Sequence, residues 1–135
     1  MIGLVAFAAA LGGVLGTVED HVNSNKPIII YASRTHSQLT KVVLSINHLT
    51  GTIPESITQL TQLQYIILTD NSLVGSIPHS FGALGQLQYV QLEGNGLVGS
   101  IPSSVANLSQ LQYLLVAYNR LTGTIPESIT QLVSL

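Results

Sequence analysis

The sequence predicts an α/β solenoid, an arc of about four repeated units with one parallel β-sheet on its concave side. Three observations lead there. A unit of 24 residues recurs without insertion, so Asn47, Asn71, Asn95 and Asn119 fall in step. Gly51, Gly75, Gly99 and Gly123 do the same, as do Pro54, Pro78, Pro102 and Pro126. Each unit holds a short alternating run such as Tyr65–Thr69, the pattern of a strand with one buried face. Finally, apolar residues are spread along the whole unit: in one copy they are Leu60, Leu63, Ile66, Leu68, Leu73, Ile77 and Phe81. A unit this short cannot cover its own apolar side, so neighbours must stack and close a shared core.

Within the unit each element has a reason. In Tyr65–Thr69 the alternation sends Ile66 and Leu68 inward and Tyr65, Ile67 and Thr69 outward. Asn71 marks the place where the chain leaves the strand. The Gly-x-Ile-Pro segment predicts a second extended stretch: Gly75 permits backbone geometry that other residues resist, and Pro78 fixes φ and ends pairing. The copies begin at Ser37, Leu60, Leu84 and Leu108, and the twelve residues Leu49–Leu60 and Leu121–Leu132 are identical, LTGTIPESITQL.

Residues 37–135 resemble the plant-type leucine-rich repeat, LxxLxxLxLxxNxLxGxIPxxLxx, over about three quarters of the chain. The resemblance implies that the Asn47, Asn71, Asn95 and Asn119 side chains form a ladder bonded to backbone groups of the turns. It also implies the company of receptor ectodomains, receptor-like proteins and inhibitors of secreted wall-degrading enzymes. One departure stands out: the chain has no Cys, whereas extracellular members of this family usually carry Cys pairs in their caps.

The N-terminal part departs from the period. Met1–Gly16 is apolar throughout, too short for a comfortable membrane span and without a positive n-region. It is read as a secretory signal or an anchor, with a buried capping helix as the alternative. Residues 17–36 read as an irregular cap or linker and not as a fifth repeat, because Asp20, Asn25 and Pro27 fall where Leu, Leu and Gly belong. There Thr17 and Asp20 are spaced like a helix-start pair, while Ile28–Tyr31 reads as a strand. Ile29–Leu39, IIYASRTHSQL, is similar to a motif of the iron–sulfur DNA helicases. With no phosphate loop, no Asp-Glu-Ala-His box and no Cys for a cluster, it is set aside as a function. At the other end Leu132–Leu135 opens a further repeat. Open ends predict either further repeats or a partner chain covering them.

Composition narrows the chemistry. Only 7% of residues are charged and the net charge is −2, which argues against a nucleic-acid partner. His21, His36, His48 and His79 lack metal-ligand spacing, and no catalytic residue, metal or cofactor is expected. Asp70 and Glu93 are diagonal neighbours near the concave rim, but two solvated carboxylates lack the apolar pocket that acid–base work on a glycoside needs.

Binding is where the outward-facing residues speak. Lys41, Tyr65, Tyr89 and Tyr113 form one column across the predicted sheet. Val43, Ile67, Gln91 and Leu115 form the next, and Ser45, Thr69, Glu93 and Ala117 the third, flanked by Ile46, Asp70, Gly94 and Tyr118. Rigid aromatic side chains offer large contact area at low entropic cost, the profile of binding anchors. The candidate ligand-binding set is therefore Lys41, Tyr65, Ile67, Thr69, Asp70, Tyr89, Gln91, Glu93, Tyr113, Leu115 and Tyr118. Asn107-Leu108-Ser109 is a glycosylation acceptor triplet, relevant if the chain enters a secretory compartment. Thr50/Thr52, Val74/Ser76, Val98/Ser100 and Thr122/Thr124 flank the Gly column and raise an ice-binding array as a further alternative. The reading is a non-catalytic module, secreted or membrane-associated, that binds a protein or peptide on its concave face. The alternative is a small scaffold subunit of a larger assembly, anchored through Met1–Gly16.

Overall fold

The computed structural model describes residues 39–131 and, before them, three short strands, Val5–Ala6 (β1), Thr17–Glu19 (β2) and Ile28–Ile29 (β3). All of Met1–Gly16 but Val5–Ala6, where a signal or anchor is expected, nearly all of the helicase-like stretch and Leu132–Leu135 lie outside the described residues.

Alternation builds the main sheet. Lys41–Val43 (β4), Tyr65–Ile67 (β6), Tyr89–Gln91 (β8) and Tyr113–Leu115 (β10) each bury their central residue deepest or nearly so and turn the other two toward solvent. They pair in parallel one period apart, with Lys41 beside Tyr65, Tyr65 beside Tyr89 and Tyr89 beside Tyr113. Pairing continues past the strand ends: the amides of Leu44, Leu68 and Leu92 donate to the carbonyls of Ile67, Gln91 and Leu115, each at 2.8 Å.

The sheet has five strands, in the order β10-β8-β6-β4-β2, because Thr17–Glu19 joins its edge. Thr17, Val18 and Glu19 stand beside Lys41, Val42 and Val43, one period back. The helix-start reading of Thr17 is thereby corrected. A Thr-Val-Glu run can satisfy the open amides and carbonyls of β4, and that edge outweighs a local capping signal. The strand expected at Ile28 is present as β3, paired in parallel with β1.

Beyond each concave strand the chain turns and runs extended again, as Thr50–Thr52 (β5), Ser72–Val74 (β7), Val98–Gly99 (β9) and Arg120–Leu121 (β11). Here the register differs: Thr50 pairs with Ser72 and Arg120 with Val98, two residues short of the full period. Gly51, Gly75, Gly99 and Gly123 stand within or just past these stretches with φ between 79 and 89°, a region where a Cβ is strained. The convex side carries single-turn 3₁₀ helices, Glu55–Gln59, His79–Ala83, Ser103–Asn107 and Glu127–Gln131, so no α-helix occurs among the described residues. Pro54, Pro78 and Pro102 precede three of them without a side-chain cap, and Leu60, Leu84 and Leu108 end them by donating back three residues. A five-residue turn that starts on Pro and stops on a core Leu has no room for the wider α ladder.

The core runs through the arc as one cluster. Leu44, Leu49, Leu63, Ile66, Leu68, Leu73, Phe81, Leu87, Leu92 and Leu111 are all at or below one per cent exposure. In the last repeat Leu114, Val116, Leu121 and Ile129 pack against that cluster only partly buried.

Candidate functional site

The concave columns become physical contacts. Tyr65 and Tyr89 stack with ring centroids 4.7 Å apart and planes 9° from parallel. Tyr89 and Tyr113 follow at 4.9 Å and 14°. Lys41 sets its Nζ 4.5 Å from the Tyr65 centroid, so a cation caps the stack. The cause is the strand spacing itself, since parallel neighbours in register stand about 4.8 Å apart and flat rings at one position must lie face to face. The Tyr89 hydroxyl donates to Gln112 Oε1 at 3.1 Å. Tyr65 and Tyr89 are half-buried by this packing, while Tyr113 is exposed. Beside the stack, Ile67, Gln91 and Leu115 form the second column and Thr69 and Glu93 the third, all half-buried.

Asp70 and Tyr118 lie just past the strands, both exposed. Asp70 and Glu93 meet through the backbone, the Asp70 amide donating to the Glu93 carbonyl at 2.9 Å. The Asp70 side chain faces solvent, and that of Glu93 is half-buried. No cluster of metal-ligating side chains occurs among the described residues.

Beneath the columns the Asn side chains hold the turns. Asn71 Nδ2 donates to the carbonyls of Leu44, Leu68 and Thr69, and its Oδ1 accepts from the Leu49 amide. Asn95 repeats this with Leu68, Leu92, Glu93 and the Leu73 amide, and Asn119 with Leu92, Val116, Ala117 and the Leu97 amide. Asn47, the buried polar side chain of the core, donates to Leu44 and Ser45. Asn71, Asn95 and Asn119 thus each join two repeats, and the ladder fixes where the concave side chains stand.

Elsewhere, Asn107 is exposed at the end of its 3₁₀ turn. Thr52, Val74, Ser76, Val98, Ser100, Thr122 and Thr124 are exposed along the second extended stretch, away from the Tyr columns. Periodicity did not single out Ile46, which stands at the Asp70 position and is 80% exposed. Its signal was the column it shares with Tyr118, read only as a flank.

Family models described as leucine rich repeat match residues 37–97 and 110–132. This part of the chain belongs to the leucine-rich-repeat family, of the plant type. Among solved structures, the leucine-rich-repeat ectodomain of the receptor kinase SOBIR1 from Arabidopsis thaliana is 35% identical, with a TM-score of 0.69. The match covers 73% of this chain and 53% of that one. The ectodomain of GASSHO1/SCHENGEN3 from Arabidopsis thaliana, in complex with CASPARIAN STRIP INTEGRITY FACTOR 2, is 40% identical with a TM-score of 0.69, covering 71% of this chain and 12% of that one. The Arabidopsis HAESA ectodomain, in complex with an N-terminally extended IDA peptide hormone, is 37% identical with a TM-score of 0.71, covering 73% and 17%. The chain therefore spans about half of the first of these ectodomains and a small part of the other two. No curated protein sequence is similar enough to the chain to count as a match.

Proposed function

We propose that this leucine-rich-repeat array is a non-catalytic recognition module, receptor-like or inhibitor-like, that binds a protein or peptide on its concave face in an extracellular setting. The observation that carries the reading is the continuous Lys41–Tyr65–Tyr89–Tyr113 stack. It is a rigid surface of aromatic faces, edges and hydroxyls, prepaid in conformational entropy, with half-buried Ile67, Gln91, Thr69 and Glu93 beside it. Similar folds in GASSHO1/SCHENGEN3 and HAESA were solved with a bound protein or peptide partner, which supports the same class of partner here.

A pull-down that compares the wild type with the Tyr65/Tyr89/Tyr113→Ala variant tests the reading. A soluble partner retained by the first and lost by the second supports concave-face recognition. A partner set unchanged by the triple substitution, and lost only on deleting Met1–Gly16, would point to an anchored scaffold subunit instead.

A further inference from the structure

Four residues at one position of successive repeats share a backbone conformation that their side chains do not favour. Ile46, Asp70, Gly94 and Tyr118 have φ of 55, 55, 65 and 53°. Glycine takes this left-handed region freely and Asp tolerates it, whereas β-branched Ile is an outlier and Tyr is poorly suited. The fold imposes the shape. The amides of Ile46, Asp70 and Gly94 donate across to the carbonyls of Thr69, Glu93 and Ala117 at 2.9, 2.9 and 3.2 Å. Gly94 shows that a residue without a side chain meets the same demand. Yet Ile46 is 80% exposed and Tyr118 86%, so neither recovers the strain by packing. Single exposed apolar side chains are ordinary on protein surfaces. Exposed apolar side chains placed at two positions where glycine would fold better are not, and strain of this kind concentrates where a surface is used.

The middle of the row has a different chemistry. A Cβ on residue 94 would collide with Asp70 Oδ1, so the Asp70 carboxylate occupies the space that the missing side chain leaves. The row therefore reads apolar, a carboxylate seated over Gly94, apolar.

We propose that this row is a recognition strip for an extended peptide that carries Lys or Arg between two apolar residues. The inference rests on the concave-face reading and names its ligand chemistry. With strands roughly 4.8 Å apart, Ile46 and Tyr118 stand roughly 14 Å from one another across three steps of the sheet. An extended peptide advances about 3.3 Å per residue, so side chains at i and i+4 on one face span about 13 Å. The residue at i+2 then falls over Asp70 and Gly94. A cationic side chain there meets the carboxylate over Gly94, and the apolar side chains at i and i+4 cover Ile46 and Tyr118.

Selection of a phage-displayed random twelve-residue library on the wild-type chain tests this. Enriched peptides are expected to carry Lys or Arg with an apolar residue two places to either side. Their affinity is expected to fall by about tenfold or more in each of Ile46→Gly, Asp70→Asn and Tyr118→Gly, the loss typical of a central contact. The glycine variants are expected to melt at or above the wild-type temperature, because they relieve the left-handed strain. Peptides without the pattern, or peptides that bind all three variants as the wild type, overturn the strip, as does a lower melting temperature for Ile46→Gly. If such peptides are lost only from the Tyr65/Tyr89/Tyr113→Ala variant, the concave-face reading stands and the strip alone falls. A selection that enriches no peptide counts against both.

Discussion

Ile53 and Ile125 occupy the same place in two identical twelve-residue segments, yet Ile53 is 4% exposed and Ile125 70%. Local sequence is held constant by this pair, so the difference belongs to the neighbouring repeat. Ile53 joins the core cluster with Leu73 and Ile77, whereas Ile125 is absent from that cluster among the described residues. In an array of this kind stability resides in the interfaces between units.

Ile53→Ala is therefore expected to cost about 2–5 kcal/mol, the range for deleting a buried aliphatic side chain. Ile125→Ala, the same chemical change in the same local sequence, is expected to stay within about 0.5 kcal/mol of the wild type. Urea unfolding of the two variants measures both. Equal losses would mean that the segment is stabilised from within and not by its neighbour.

Asn71 is expected to be the least replaceable polar side chain of the middle repeats. It satisfies the carbonyls of Leu44, Leu68 and Thr69 and the amide of Leu49 in a half-buried site. Asn71→Ala leaves several of these groups without partners, at about 1–3 kcal/mol for each one kept from water. Asn71→Asp keeps the acceptor but turns a carboxylate toward three carbonyls, so it should be no better. Loss of hydrogen-exchange protection at the Leu49 amide in Asn71→Ala is the specific readout, since Asn71 Oδ1 is the acceptor bonded to it, and Asn71→Asp should keep more of that protection.

Much of this fold could be read from the period alone. Alternation in Tyr65–Thr69 located the concave strand, and the in-step Tyr residues predicted a column that the structure turns into a stack. What the period could not supply was set by closure between repeats. The left-handed φ of Ile46, Asp70, Gly94 and Tyr118 is invisible in four unlike residues, because backbone bonds to the next repeat impose it against propensity. Thr17–Glu19 joins the sheet although its surroundings lack the Leu and Gly spacing, since an open strand edge recruits backbone groups and not a motif. The two-residue slip in β5 and β7 likewise follows from the path of the turn.

Tyr89 touches a ring on each side, so Tyr89→Ala is expected to destabilise the chain by about 1–3 kcal/mol, two aromatic pairs at about 0.5–1.5 kcal/mol each. Tyr113→Ala removes one pair and should cost about half as much. Tyr89→Phe keeps both pairs and gives up only an exposed hydrogen bond to Gln112, so it should be close to neutral. Thermal unfolding of the three variants orders them, and a Phe variant as damaged as the Ala variant would show that the hydroxyl, not the stack, holds this column.

Lys41 is expected to contribute through the ring beneath it and not through a carboxylate. Its Nζ lies 4.5 Å from the Tyr65 centroid, and such a contact at a partly exposed site is worth about 0.5–1 kcal/mol. Lys41→Met keeps most of the side chain's apolar length and removes the charge, so it isolates that contribution. In a Tyr65→Leu background the same substitution should cost nothing further, because the quadrupole that attracts the cation has gone. A double-mutant cycle on these two positions gives the coupling directly. Full additivity would mean that the cation sits over the ring without being held by it, and the stack would then present only aromatic faces to a ligand.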